Sequence, residues 1–352
     1  MRTYEAVPER EQEQAPATAE RVCFLAADVG GTHVRVGRVQ ACHDAEHPIQ
    51  ILDYRKYRCA DYPSLAAILG DFLRGRPAVA EVAIASAGFP LEDGTVITAN
   101  LPWPVSPRAI RDELGLAAVH LVNDFEAVAH AAAYMDANAV AQLTGPERVP
   151  RAPVLVLGPG TGLGAAVWIP NGGRPVVLAT EAGHAALAAT TELEAQLLRE
   201  MLKTRSHVPV EHALSGPGLL NLYNALCAVR GATPRLDSPN AITAAALAGE
   251  DALAVEGLEV FCGLLGSIVG DMALLYGAQG GIYLAGGILP HIRQFLIDSS
   301  FVARFLNKGP MREALQRIPV KLVEHGQLGV IGAANWYLDL NHTPGAPGRP
   351  AL

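Results

Sequence analysis

Several signatures are missing from this chain, and each absence excludes something. No Cys-x-x-Cys occurs, and the five cysteines, Cys23, Cys42, Cys59, Cys227 and Cys262, are odd in number and widely spaced. That pattern indicates neither a zinc ribbon nor a disulfide framework, and it fits a reducing cytoplasm. Clustered basic residues are scarce: 27 Lys and Arg stand against 35 Asp and Glu, for a net charge of −8, which argues against a nucleic-acid surface. The opening MRTYEAVPEREQEQAPATAE lacks the apolar centre of a signal peptide. Residues 1–20 offer little to bury and read as an acidic arm, and the Pro/Gly-rich residues 343–352 read as a tail of similar character. No Gly-X-Y period appears despite 35 glycines and 25 prolines. With 50% apolar and 18% charged residues the composition is globular, and 352 residues exceed one comfortable core, so two domains are expected.

Uncharged stretches do occur, at Ala152–Pro170 and Met272–Pro290. Glycine clusters and turn residues break both, which reads as strands and turns rather than one membrane-spanning helix. Short apolar strand-like runs alternate with amphipathic helical patterns along the whole chain, the signature of an α/β architecture. Two segments share a plan. Cys23–Asp28 is an apolar run that ends in DVGGT and is followed by the alternating HVRVGRV; Val154–Leu157 ends in GPGTGLG and is followed by AAVWIP. Each predicts strand, glycine turn, strand, and their separation of about 130 residues suggests two related halves. Helices are expected over Phe125–Tyr134, Pro217–Val229 and Ala252–Tyr276, the last long, buried and kinked near its glycines.

Backbone N–H donors without intervening side chains are what a phosphate chain requires. Gly30 and Gly31 would supply them in the first turn, with the Thr32 hydroxyl beside them. Asp28, at the strand end, is placed where a carboxylate could order a hydrated magnesium ion; the plain alternative is a hairpin turn with a capping Asp. In the second turn Gly160, Gly162 and Ala165 also satisfy a dinucleotide fingerprint, but that motif needs a following helix where AAVWIP reads as a strand. A P-loop and the protein-kinase motif set are both absent. A third glycine element, GGIYLAGGILPHI, predicts a strand over Ile282–Ala285, with Gly286 and Gly287 opening a turn. It serves either tight helix–strand packing or the close approach of a planar base.

Polar residues flank these turns. Asn123 and Asp124 join a strand-like VHLV to the FEAVAH helix, where an Asp is commonly an N-cap. The functional alternative is a carboxylate at a strand end that accepts a hydroxyl proton during phosphoryl transfer. Glu181 and His184 lie three apart around Gly183, without the further His or Cys that metal ligation needs. Glu211 precedes a predicted helix start. Together they supply groups able to bind a polyhydroxylated substrate.

At this point the ordered set of motifs resembles a family. DVGGT (28–32), TANLPW (98–103), LVNDFEAVA (121–129), GPGTGLG (158–164), EAGH (181–184), LSGPGLLNLY (214–223) and LAGGILP (284–290) resemble bacterial glucokinases of the non-zinc type, in the actin, sugar kinase and chaperone ATPase superfamily. The resemblance spans about Val22 to Tyr337. It implies an α/β, two-domain actin-like (ribonuclease H-like) sugar kinase fold with an interdomain cleft. The smaller domain would comprise residues 21–134 plus about 331–342, and the larger one residues 135–330. It also implies ATP-dependent phosphorylation of the glucose 6-hydroxyl, with Mg2+, in a homodimer. By motif position Asp124 is the expected base. Asn100, Asn123, Asp124, Glu181, His184 and Glu211 are the expected sugar groups. Asp28, Gly30, Gly31, Thr32, Gly160 and Thr161 are the expected phosphate and magnesium elements, and Gly286 and Gly287 would back the adenosine. His33 departs from the usual Asn after GGT, with a modest effect on nucleotide affinity expected, and the zinc motif of repressor-type sugar kinases is missing. Two rivals share the fold: a sugar sensor, for which the arm is too short to hold a helix-turn-helix, and an actin-like ATPase, which would lack the EAGH cluster.

Overall fold

An apolar run that ends in consecutive glycines turns back on itself, and this chain does so twice. The computed structural model describes residues 22–42, 48–97, 101–132, 140–147, 150–172, 175–323 and 326–341. The terminal arm and all of the tail from residue 342 lie outside that set. The first half contributes β1 (Cys23–Val29), β2 (His33–Ala41), β3 (Ile49–Arg58), β4 (Glu81–Ser86), the two-residue β5 (Phe89–Pro90) and β6 (Val96–Ile97), and β7 (Ala118–Val122). Between them lie α1 (Leu65–Leu73) and α2 (Pro107–Leu114), and α3 (Asp124–Ala132) follows.

The second half contributes β8 (Val140–Thr144), β9 (Val154–Pro159), β10 (Leu163–Ile169) and β11 (Val176–Thr180). A helical layer comes next: α4 (Glu192–Met201), α5 (Gly216–Val229), α6 (Pro239–Ala248) and α7 (Ala252–Tyr276). After β12 (Gly281–Leu284) come the short α8 (Arg293–Asp298), α9 (Phe301–Phe305) and α10 (Arg312–Leu315), and the described chain closes with β13 (Val320–Val323) and α11 (Leu328–Leu340). Serine caps start many of these helices: Ser64, Ser106, Ser215 and Ser238 each accept the N–H of the third helical residue.

Strand order makes the two halves comparable. The first sheet runs β3-β2-β1-β4-β7, and the second runs β11-β10-β9-β12-β13 with β8 added at its edge. In each, two antiparallel hairpins are followed by two parallel strands on the other side of the first strand. The duplication anticipated from the glycine turns is thus present in the topology. Because β10 continues GPGTGLG as a strand antiparallel to β9, the dinucleotide-binding alternative has no helix to stand on.

Burial follows sequence pattern. One face of the first sheet packs Leu25, Ala27, Val34 and Val36 against Ile68, Leu69 and Phe72 of α1. Its other face packs Phe24, Ala26 and Ala83 against Val330, Ala333 and Tyr337 of α11, with the Phe24 and Tyr337 rings 4.3 Å apart. In the second half Leu155, Leu157 and Leu284 meet the helices, with Leu219, Leu222, Tyr223 and Leu226 of α5 fully buried as their spacing predicts. By length and composition α7 could cross a membrane, but Leu258, Phe261, Leu265 and Val269 are fully buried in this core. It runs as a single 25-residue helix, so its glycines accommodate neighbours: a Cβ on Gly266 would lie 2.2 Å from the Phe301 carbonyl oxygen. Between the sheets lie α3 and α11. Ala127 of α3 packs with α11 and the first sheet, whereas Ala129, Ala131 and Ala132 pack with Val154, Val156 and Ala166 of the second.

Candidate active site

Both glycine hairpins end at this waist, and so does the N-terminus of α3. They line a cleft of about 420 Å³ whose walls include Gly30, Gly31, Asn123, Asp124, Gly160, Thr161, Glu181 and Glu211. Eight residues singled out from sequence therefore share one cavity.

The local structure at Asp124 separates the two readings of that residue. Helix α3 is capped by its neighbour: Asn123 Oδ1 accepts the N–H groups of Phe125 (3.0 Å) and Glu126 (3.1 Å). Asp124 is then the first helical residue, its Oδ1 also accepting the Phe125 N–H at 2.9 Å. Burial pushes its pKa up to about 6, the Phe125 N–H opposes that shift, and the carboxylates of Asp28 and Glu181 add to it. A carboxylate held near 6 is mostly ionised at neutral pH yet basic enough to take up a proton.

Glu211 reaches the second hairpin from a 3-10 turn, its Oε2 accepting the Leu163 N–H at 3.4 Å. A Cβ on Gly162 would sit 2.7 Å from that oxygen, so glycine there makes room for the carboxylate. His184 stands on the rim, 63% exposed, with Nε2 3.8 Å from Glu181 and Nδ1 3.8 Å from Glu211. The three form one polar edge, although His184 does not itself line the cavity. Asn100 lies outside the described residues.

On the phosphate side, the Gly30 N–H closes the first turn onto the His33 carbonyl at 3.0 Å, and the Gly160 N–H closes the second onto Gly162 at 2.8 Å. Nothing faces the missing Cβ of Gly160, leaving that backbone open to an approaching ligand. Thr32 is exposed beyond the cavity wall. Asp28 is not free: Arg35 pairs with it at 3.0 Å, and the start of α11 presses on it so closely that a Cβ on Gly329 would lie 2.4 Å from its carboxyl carbon. Gly286, at φ +110°, interlocks with Gly158. A Cβ on either would strike the Pro159 or Ala285 carbonyl oxygen at 2.4 or 2.2 Å, so this pair provides tight strand packing. Gly287 faces open space. Neither Gly286 nor Gly287 is in the cavity wall.

Two contributors were not anticipated. Arg35 could have been found from the alternation of HVRVGRV, which sets His33 and Arg35 opposite the buried Val34 and Val36. Phe125 carries no such signal. Its ring covers Gly164 of β10, where a Cβ would come within 1.9 Å of Cδ2. Among the described residues no group of three or more His, Cys, Asp or Glu side chains could cage a metal ion. Single carboxylates near glycine turns suit a hydrated magnesium ion that shares its remaining positions with phosphate oxygens.

A family model described as Glucokinase matches residues 25–340. The chain belongs to the glucokinase family. It is 63% identical over 320 residues to a glucokinase-like protein of Xylella fastidiosa strain 9a5c, covering 91% of this chain and 96% of that one. To a glucokinase of Saccharophagus degradans it is 37% identical over 321 residues, covering 89% and 97%. The crystal structure of a glucokinase from an Antarctic psychrotroph superposes with a TM-score of 0.79 at 36% identity, covering 89% and 98% of the two chains. This glucokinase-family chain therefore has the actin-like sugar kinase fold.

Proposed function

We propose that the protein transfers the γ-phosphoryl group of ATP to the 6-hydroxyl of D-glucose, with Asp124 as general base. The observation that carries this reading is the Asp124 carboxylate itself, raised to about 6 and set in a cleft walled by both glycine hairpins. Asn123, Glu181, His184 and Glu211, with Asn100, are the groups we assign to the sugar. Gly30, Gly31, Thr32, Gly160 and Thr161 are assigned to the phosphates, Asp28 to the magnesium ion through water, and the open backbone of Gly287, held in place by the packed Gly286, to the adenosine. The domains are taken as residues 21–134 with about 331–342, and 135–330.

In this mechanism the sugar binds against the polar edge, and closure of the two domains about α3 and α11 excludes water that would otherwise hydrolyse the donor. Asp124 accepts the hydroxyl proton as the oxygen attacks, while turn N–H groups stabilise charge on the transferring phosphoryl. Bound magnesium supplies charge neutralisation of the phosphates. The Asn123 cap fixes the first turn of α3 and so holds Asp124 toward the cleft. We extend the reading to a homodimer, which sedimentation velocity tests directly.

The deciding experiment is ADP release from MgATP with glucose, mannose, fructose, glucosamine or no sugar. Release that depends on glucose supports the assignment, and a preference for another hexose moves the specificity while keeping the chemistry. Sugar-independent release points to an ATPase. Folded protein that binds glucose without turnover points to a sensor.

A further inference from the structure

The first hairpin carries more positive charge than its turn requires. In the register of β1, β2 and β3, Asp28 lies opposite Arg35, Arg35 opposite Lys56, and His33 opposite Arg58. Opposed residues of antiparallel strands share a face, as do residues two apart along one strand. His33, Arg35, Lys56 and Arg58 thus form two adjacent rungs on one face, at the end of the sheet that bears the Gly30–Thr32 turn. Helix α11 begins on this same face: Tyr54, one rung further along, donates its hydroxyl to the Gly326 carbonyl at 3.3 Å. The positive end of a 13-residue helix is therefore directed at the same region.

Among the described residues Arg35 is the one of the three permanent cations that has a carboxylate partner, Asp28. Lys56 and Arg58 are exposed and have none among the described residues. Their neighbours differ. Arg55, on the opposite face, pairs with Asp71 at 3.3 Å, and Arg76 pairs with Asp53. His33 is held below its ordinary pKa by burial and by the charges of Lys56, Arg35 and Arg58, so it sits among cations that oppose its protonation. A bound polyanion would convert that repulsion into attraction, and the glycine turn adjoining these rungs is part of the cleft wall.

We propose that Lys56 and Arg58, with His33 beside them, form a shelf that holds the phosphate chain of the phosphoryl donor outside the reach of the glycine turns. This rests on the kinase reading above. The ligand chemistry is a chain of three or more phosphates, shared by a nucleoside triphosphate and an inorganic polyphosphate. Lys56 and Arg58 are positioning residues that act on the donor at a distance from the reacting oxygen, and they make donor charge a determinant of specificity.

Calorimetric titration with inorganic tripolyphosphate tests this without turnover. The double variant Lys56→Ala/Arg58→Ala should bind about tenfold more weakly than the parent protein and lose most of its salt dependence, and Lys56→Arg/Arg58→Lys should restore binding. Both side chains are exposed, so the fold should survive the exchange. Equal dissociation constants in parent and alanine variant overturn the proposal. In steady-state assays the alanine variant should lose on KM for MgATP rather than on kcat or on KM for glucose; a loss confined to kcat also overturns it. A parent protein that phosphorylates no hexose yet binds tripolyphosphate through these residues defeats the kinase reading and leaves the shelf standing. Glucose 6-phosphate formed from MgATP alone, or from polyphosphate without ATP, identifies which source the shelf serves.

Discussion

Asp124 concentrates the chemistry of this molecule in one side chain, and its environment dictates how that chemistry should vary with pH. The base must be ionised to accept a proton, so kcat/KM should rise with pH through an acid limb near 6, the value to which burial pushes this carboxyl. A limb near 4 would assign the base elsewhere. Replacing Asp124 with Ala or Asn should lower kcat by about 10²- to 10⁴-fold while glucose binding, read by tryptophan fluorescence or calorimetry, largely persists. The same shift has a cost in stability. A carboxyl whose pKa is higher in the folded than in the unfolded chain binds more protons when folded, so its contribution worsens as pH rises from about 4 to above 6. Asp124→Asn should therefore be more stable than the parent by about 1–2 kcal/mol at pH 8, after allowance for partial solvent exposure, with the difference gone below pH 4. Urea titrations at the two pH values measure it. Sequence marked this residue because an Asp joins a strand-like run to a helical one; it could not show that Asn123 would take the cap and leave Asp124 to the cleft. The pairing of Asp28 with Arg35 was hidden for a different reason, since it depends on the register between strands.

At the scale of elements, the hairpins were legible because an apolar run followed by glycines specifies its own reversal. The contact between α3 and α11 was not, since the two helices lie some two hundred residues apart. Small residues let them approach: a Cβ on Gly332 would lie 1.9 Å from the Ala127 carbonyl oxygen. Deeper along the same crossing His130 Nδ1 lies 3.0 Å from Asp339 Oδ2, both groups buried, and Asn335 donates to the His130 carbonyl at 3.4 Å. Gly332→Ala should separate the helices and destabilise the protein by about 3 kcal/mol, seen as a lower urea midpoint at unchanged m-value. Because α3 begins at Asp124, kcat should fall as well even though residue 332 lines no cleft. A variant as stable as the parent would show that the crossing can relax freely.

For the whole molecule, two sheets of matching strand order flank a cleft lined by their glycine hairpins, and among the described residues α3 and α11 are the helices that pack into both. Such an arrangement lets the halves pivot about a helical waist. Glucose together with a non-hydrolysable ATP analogue should reduce the radius of gyration measured by small-angle X-ray scattering, and an unchanged value would mean a cleft already in its working shape. The waist has a further consequence for biosynthesis. Phe24, Ala26 and Ala83 are among the first core residues to leave the ribosome, yet the helix that covers them is the last described element of the chain. One apolar face of the N-terminal sheet must therefore wait, uncovered, while more than two hundred further residues are translated, and the later half can complete its own core before the earlier one does. Nascent chains stalled shortly before residue 328 should expose that face to chaperones, and chains released beyond residue 340 should hide it.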